Sequence, residues 1–211
     1  MPRFFMYLPW DDDKRLAEAA CSFTDRLERL GGYKETFVIG RQHLEEAEIE
    51  NNDDLYISGD CAPNAEFIGS KDGRTMQAKE LAAQFDGALD KGHRCIHIWA
   101  CYSGHGMEGV VSPQGKIGLA YRFWEAMHAL GYNKLSVFGY RFAVLDPFSP
   151  SQADLLTAQL LPGFKSLTET PDKAKFLPGN ANNWMTRLDP SGKVIPPAPL
   201  PKPVSLQPLK S

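Results

Sequence analysis

This chain has no run of lysine and arginine, no CxxC pair and no apolar stretch of membrane-spanning length. With 23 basic and 26 acidic side chains its net charge is −3, and neither nucleic acid nor an acidic membrane surface is an expected partner. The four cysteines, Cys21, Cys61, Cys95 and Cys101, have no histidine partner at zinc-finger spacing, which argues against structural zinc. Cys21 and Cys95 fall in apolar periodic segments and are expected in the core. No apolar run approaches the roughly 20 residues that a helical span requires. Residues 1–10 are apolar but short, and Asp11, Asp12 and Asp13 follow directly. This start lacks the positive segment, the longer apolar segment and the small-residue cleavage site of a secretory signal. The expectation is a soluble protein of a reducing cytosol, or one exported by a bacterial machine that needs no signal peptide.

What is present is enough apolar residue, 43% of 211, for one substantial core. Residues 3–8 read as a strand that Pro9 closes. The acids at 11–13 suit the positive end of a helix dipole. Leu16, Ala19, Ala20, Phe23, Leu27 and Leu30 follow a 3.6-residue period over 14–30, with Gly31 and Gly32 as the stop. Further strands are expected at 36–39, 54–58, 94–100 and 135–140, with helices at 44–49, 75–89 and 117–130. A polar excursion containing Gly69, Asp72 and Gly73 reads as a hairpin above the sheet edge. Strands alternating with helices imply βαβ units and a mostly parallel sheet flanked by helices on both faces.

Beyond Asp146 the pattern loosens. A helix at 152–161 and a small hairpin at 183–195, around Asp189 and Gly192, are expected. The organisation that follows is an α/β domain over 1–150, a C-terminal extension over 151–195 packed on it, and a proline-rich tail over 196–211. The tail is expected to be extended or disordered. Lys193, Pro196 and Pro199 fit the basic-then-spaced-proline pattern of SH3 ligands.

Residues 95–104, Cys95-Ile-His-Ile-Trp-Ala-Cys-Tyr-Ser-Gly104, are the most informative stretch. A short apolar run ends in Cys101, and a loop of small and polar residues opens after it. This pattern places a thiol at the C-terminal tip of a buried strand, where open α/β sheets hold their ligands.

The order of Asp54-Leu-Tyr-Ile-Ser-Gly-Asp60, then Ala78-Lys-Glu-Leu-Ala82, then Ile96-His-Ile-Trp-Ala-Cys-Tyr-Ser-Gly104 resembles the caspase-like cysteine peptidases. Within that group it is most similar to the self-processing protease domains of large bacterial toxins. The resemblance covers residues 53–145 and implies a caspase-like sheet with Cys101 as the nucleophile. Gly59, Cys61, Ser103 and Gly104 flank the cleft as candidate substrate contacts. The family's histidine, which ends the preceding strand, falls on Asp60 or its immediate neighbours Gly59 and Cys61. None of them is a histidine.

That departure matters chemically. The thiolate is the reactive species, and a nearby carboxylate disfavours it where a cation would favour it. An ionised aspartate also has no proton to give a leaving amine. Of the five histidines, His93 and His97 lie roughly 26 and 13 Å back along the strand from Cys101. His128 lies near the far end of a helix running away from the cleft. His105, four residues past the thiol, and His43, after the strand ending at Ile39, remain as candidate substitute bases. Cys61 and Cys101, atop neighbouring strands, are either unrelated thiols or a redox-sensitive pair within disulfide reach.

The toxin domains resembled here also bind inositol hexakisphosphate. Arg141, Lys165, Lys173, Lys175 and Arg187 are too scattered among acids to carry that ligand over. Three functions stay open. One is a degenerate peptidase acting as a bacterial effector or binding module on a protein or peptide partner. The second is an active, possibly self-processing cysteine endopeptidase using Cys101 with His105 or His43. The third is an α/β protein holding a small anion or metabolite on backbone N–H groups of loops 59–73 and 102–109. No cofactor is expected under the first two.

Overall fold

The computed structural model describes residues 2–30, 33–104, 118–140 and 185–195. The candidate base His105, the expected helix at 152–161, the lysines at 165–175 and the tail at 196–211 lie outside the described residues. The fold is a mixed α/β arrangement around a seven-stranded sheet. Its strands are β1 (Phe4–Leu8), β2 (Thr36–Gly40), β3 (Asp54–Ser58), β6 (Cys95–Trp99), β7 (Ser136–Tyr140), β8 (Met185–Leu188) and β9 (Val194–Ile195). In space they run β2-β1-β3-β6-β7-β8-β9. The first five in that order are parallel, and β8 and β9 add antiparallel strands at one edge. The expected C-terminal hairpin therefore extends the main sheet.

Strand alternation divides the core in two. Phe5, Tyr7, Leu55, Ile57, Ile96, Ile98 and Val137 face one side. There they pack with Leu81 and Ala82 of α2 (Ala78–Ala83) and with Phe123 and Met127 of α3 (Leu119–Ala129). Phe4, Met6, Leu8, Tyr56, Trp99 and Tyr140 face the other, where α1 (Lys14–Leu30) contributes Leu16 and Ala20. Both faces carry helices, as parallel pairing demands.

Two expected helices differ. At 44–49 there is only a 3-10 turn, Arg41–His43, followed by an irregular turn in which Glu48 has φ 47°. Glu45, Glu46 and Glu48 repel along such a short segment, and the buried Leu44 and Ile49 fix its two ends without a helix between them. At 75–89 the first three residues form β5 (Thr75–Gln77), antiparallel to β4 (Phe67–Gly69). Helix α2 then starts behind a capping box in which Gln77 and Glu80 satisfy each other's backbone N–H groups. Phe85 and Leu89 still reach the core from turns, so the helical spacing was a burial signal more than a helix signal.

The acids at 11–13 do more than face a dipole. Asp13, 5% exposed, accepts from Leu16 N at 3.1 Å as the cap of α1, and its other oxygen accepts from Lys71 N at 2.8 Å. Asp12 pairs with Arg74 Nη1 at 2.7 Å, and Asp11 accepts from the backbone N–H groups of Arg41 and Gln42. Three consecutive carboxylates thus tie α1, the β4–β5 hairpin and the loop after β2 together at the C-terminal edge of the sheet.

Candidate functional site

The site rests on strands β3 and β6. They are parallel neighbours in the register Leu55↔Ile96, Tyr56↔His97, Ile57↔Ile98 and Ser58↔Trp99. A further bond, Gly59 N to Trp99 O at 3.3 Å, carries the pairing one residue on. Asp60 and Cys101 each follow the end of this pairing, beyond the tips of neighbouring strands. The expected adjacency of the two strand tips is therefore present.

Beyond Trp99 the strand alternation stops. Ala100 N bonds Ile98 O at 2.9 Å, and Ser103 N bonds Ala100 O at 3.2 Å, so Cys101 sits in a tight turn. Tyr102 adopts φ 55°, a left-handed conformation uncommon for a residue with a Cβ. Such strain costs on the order of 1 kcal/mol or more and is concentrated at functional tips and switch regions. Cys101 is half-buried and in no disulfide.

Ser103 and Gly104 hold this turn rather than offer open polar groups to a ligand. Ser103 is fully buried, its hydroxyl donating to Ile98 O at 2.8 Å and accepting from Tyr140 N at 3.0 Å. It thereby closes the end of β6 onto the end of β7. Ala120 N, at the start of α3, bonds Ser103 O at 2.9 Å. Gly104 N bonds Tyr140 O at 2.8 Å. Gly59 is buried too, and a Cβ there would meet Ile68 Cγ1 at 2.5 Å. A glycine is needed for β3 to pass beneath the hairpin.

Asp60 is bound on two sides. Its backbone forms an antiparallel bridge with Gly69, through bonds of 2.7 and 2.8 Å, and its carboxylate pairs with Lys71 Nζ at 3.0 Å. The hairpin thus brings a cation to the acid that stands where a histidine was sought. Lys71 and its role were not visible in the sequence. The only available signal was its place in the polar excursion after Gly69.

Cys61 is 8% exposed, and its Sγ lies 3.3 Å from Ala62 O. Burial first, then the neighbouring negative charges of Cys101 and Asp60, push its thiol up to about 12. The same burial effect, with Asp54 adding to it, pushes Cys95 up to about 12 at the opposite end of β6. Neither cysteine expected in the core is a core residue: Cys95 is half-buried at the start of β6, and Cys21 is exposed on α1.

The histidines are placed as follows. His43 follows β2, and both β1 and β3 stand between β2 and β6. Three strand spacings amount to about 14 Å. His43 is exposed, with Nδ1 3.3 Å from Glu46 Oε2, and is not brought to Cys101. The separation arises because β1 lies inside the sheet between β2 and β3. His93 is fully buried between Glu50 O and Cys95 O. His97 is stacked in the sheet face, and His128 packs on Trp124 near the end of α3. Among the described residues, no histidine stands at the Cys101 tip.

A separate groove of about 440 Å³ lies between α2 and α3. Its floor includes Ala78, Ala126 and Leu130, and Arg122 at its rim pairs with Glu66 and Glu125, each at 2.8 Å. None of the sequence candidates lines it. Among the described residues no cluster of three or more metal-ligating side chains occurs, and no helix is long and apolar enough to cross a membrane.

In comparisons with known proteins, the chain matches no family model, and no curated protein is similar to it at a significant level.

Proposed function

We propose that this protein is a caspase-like domain that keeps the thiol of a cysteine peptidase at Cys101 but not its peptide-bond hydrolysis, and that it binds a protein or peptide partner. The observation that supports this reading is the pairing of β3 with β6, whose neighbouring tips lead to Asp60 and Cys101, together with the separate ion pair of Asp60 with Lys71. A peptidase thiol needs a group that takes its proton and returns one to the leaving amine. A carboxylate held by a lysine has no proton to return, and His43 stands about 14 Å off. The strained turn at Tyr102 and the bonds of Ser103 keep the thiol presented at the sheet edge, where ligands of open α/β folds bind.

The test is alkylation of the full chain by iodoacetamide at neutral pH, read cysteine by cysteine by peptide mapping. It is paired with cleavage of a mixed peptide library by the native protein and by Cys101→Ala. The expected result is a Cys101 no more reactive than a small free thiol, with identical digests from both proteins. A Cys101 that reacts much faster, together with cleavage that disappears in Cys101→Ala, would overturn the reading in favour of an active endopeptidase using His105.

A further inference from the structure

Two of the four cysteines stand at adjacent strand tips. Cys61 lies three residues past Ser58 on the β3 side, and Cys101 two residues past Trp99 on the β6 side. Each stands two residues beyond the last bonded pair, Gly59 N to Trp99 O, and neighbouring strands lie about 4.8 Å apart. A disulfide bridges Cα atoms roughly 4.4–6.8 Å apart. Ordinary alternation would send the two side chains to opposite faces of the sheet. The turn at Ala100 ends that alternation before Cys101, and Cys101 lies near enough to add to the effect of burial in raising the Cys61 thiol.

We propose that Cys61 and Cys101 form an oxidation-sensitive dithiol, which hydrogen peroxide or a comparable peroxide closes to a disulfide. Cys101, half-buried in its turn, meets the oxidant, while Cys61, 8% exposed, does not. The Cys101 thiolate attacks one peroxide oxygen and the O–O bond breaks, giving a sulfenic acid and hydroxide. The Cys61 sulfur then attacks Cys101 Sγ, its proton leaving with the sulfenic hydroxyl as water. Two thiols lose two electrons and two protons, and the peroxide becomes two waters. Cys61 has only its weak contact to Ala62 O to give up on turning. The bridge ties the tips of β3 and β6 and removes the Cys101 thiol from the cleft. Pairing requires only the placement of two sulfurs and holds whether or not Cys101 attacks peptide bonds.

The test treats the full chain with equimolar hydrogen peroxide, alkylates what remains, and maps peptides without reductant. The expected product is a Cys61–Cys101 linked pair, lost on adding dithiothreitol, with Cys95 still alkylated. In Cys61→Ser the link disappears, and Cys101 proceeds to sulfinic acid once a second equivalent of peroxide is added. Four alkylated cysteines after treatment would overturn the proposal. So would Cys101 overoxidising equally fast in the native protein and in Cys61→Ser, or its linkage to Cys21 of another molecule. Peptide cleavage is not read in this experiment, so its outcome is separate from the fate of the peptidase-like reading.

Discussion

Gly104 and Gly139 pass so closely that a methyl group on Gly104 would lie 2.7 Å from the carbonyl carbon of Gly139, and one on Gly139 would lie 2.7 Å from Gly104 Cα. This is backbone against backbone, next to the bond from Gly104 N to Tyr140 O, so neither partner can rotate aside. The contact fixes where the turn after Cys101 meets β7. Gly104→Ala is therefore expected to cost about 1–3 kcal/mol, the range for overpacking a filled site. Denaturant unfolding measures it, and an unchanged midpoint would show that the turn has room to shift. Cys101 alkylation should also change in this variant, because the turn that presents the thiol must move.

Arg3 and Asp53 provide a second test, far from the thiol. Asp53, 5% exposed, accepts from Arg3 N and Nε at 3.0 Å, from Arg3 Nη2 at 2.6 Å and from Glu50 N at 2.9 Å. Burial pushes its carboxyl up, but the Arg3 side chain and the two backbone donors outweigh burial and hold it below the usual carboxylate range. Asp53→Ala leaves those donors unanswered at the entry to β3. A loss of about 2–4 kcal/mol is expected in thermal or denaturant unfolding. A loss below about 0.5 kcal/mol, the scale of an ordinary exposed pair, would mean that water replaces the carboxylate.

The parallel strands were legible because each is a short apolar run between breaks, and apolar burial is what builds the sheet. The same signal misled at 75–89, where Leu81, Phe85 and Leu89 are core residues whether or not the backbone between them is helical. Tertiary pairing with Phe67–Gly69 claimed the first three residues. At the site, the neighbouring tips of β3 and β6 followed from the order of strands and breaks. The Asp60–Lys71 pair did not, because it depends on how an eleven-residue polar excursion folds back, and polar spacing carries little periodic information. Nor did the structural role of Ser103, since a serine after a strand tip reads the same whether its hydroxyl faces a ligand or two backbone groups. His97 could be placed on the strand, but its stacked neighbours come from strands distant in sequence.

Those neighbours give His97 a pH signature. Its ring stacks between Tyr56, at 4.2 Å, and Phe138, at 4.3 Å, in the register Tyr56↔His97↔Phe138. Its Nδ1 is buried without a hydrogen-bond partner. Burial lowers its affinity for a proton from an ordinary 6.5 to about 3. Between those values the unfolded chain binds a proton that the folded chain refuses. The contribution is therefore fully present above pH 6.5 and is lost progressively as pH falls towards 3. The loss is on the order of 5 kcal/mol, at roughly 1.4 kcal/mol per tenfold change in proton affinity. His97→Phe keeps a flat ring between Tyr56 and Phe138 and has nothing to protonate. The difference in unfolding free energy between the two proteins, measured from pH 7 to pH 4, should shift towards the variant as pH falls. A pH-independent difference would show that His97 takes its proton without unfolding.

Asp60 itself makes the last test, because its charge is the feature that separates a poised thiol from an idle one. The carboxylate follows the tip of β3, the neighbour of the strand that leads to Cys101, and a negative charge there would oppose the thiolate that alkylation requires. Lys71, at 3.0 Å, offsets part of that opposition. Asp60→Asn removes the negative charge and leaves the lysine beside the cleft, and both changes favour the thiolate. Because the pair is partly exposed, solvent screens the effect, and a roughly three- to tenfold faster alkylation of Cys101 at neutral pH is expected. Cys21, exposed on a helix of the α1 face, serves as the internal control and should react unchanged. Lys71→Gln should slow Cys101 instead, since the acid then acts uncompensated. Equal rates in all three proteins would mean that the Cys101 sulfur does not feel the Asp60 carboxylate, and the chemical reason for reading this cleft as a non-hydrolytic one would be gone.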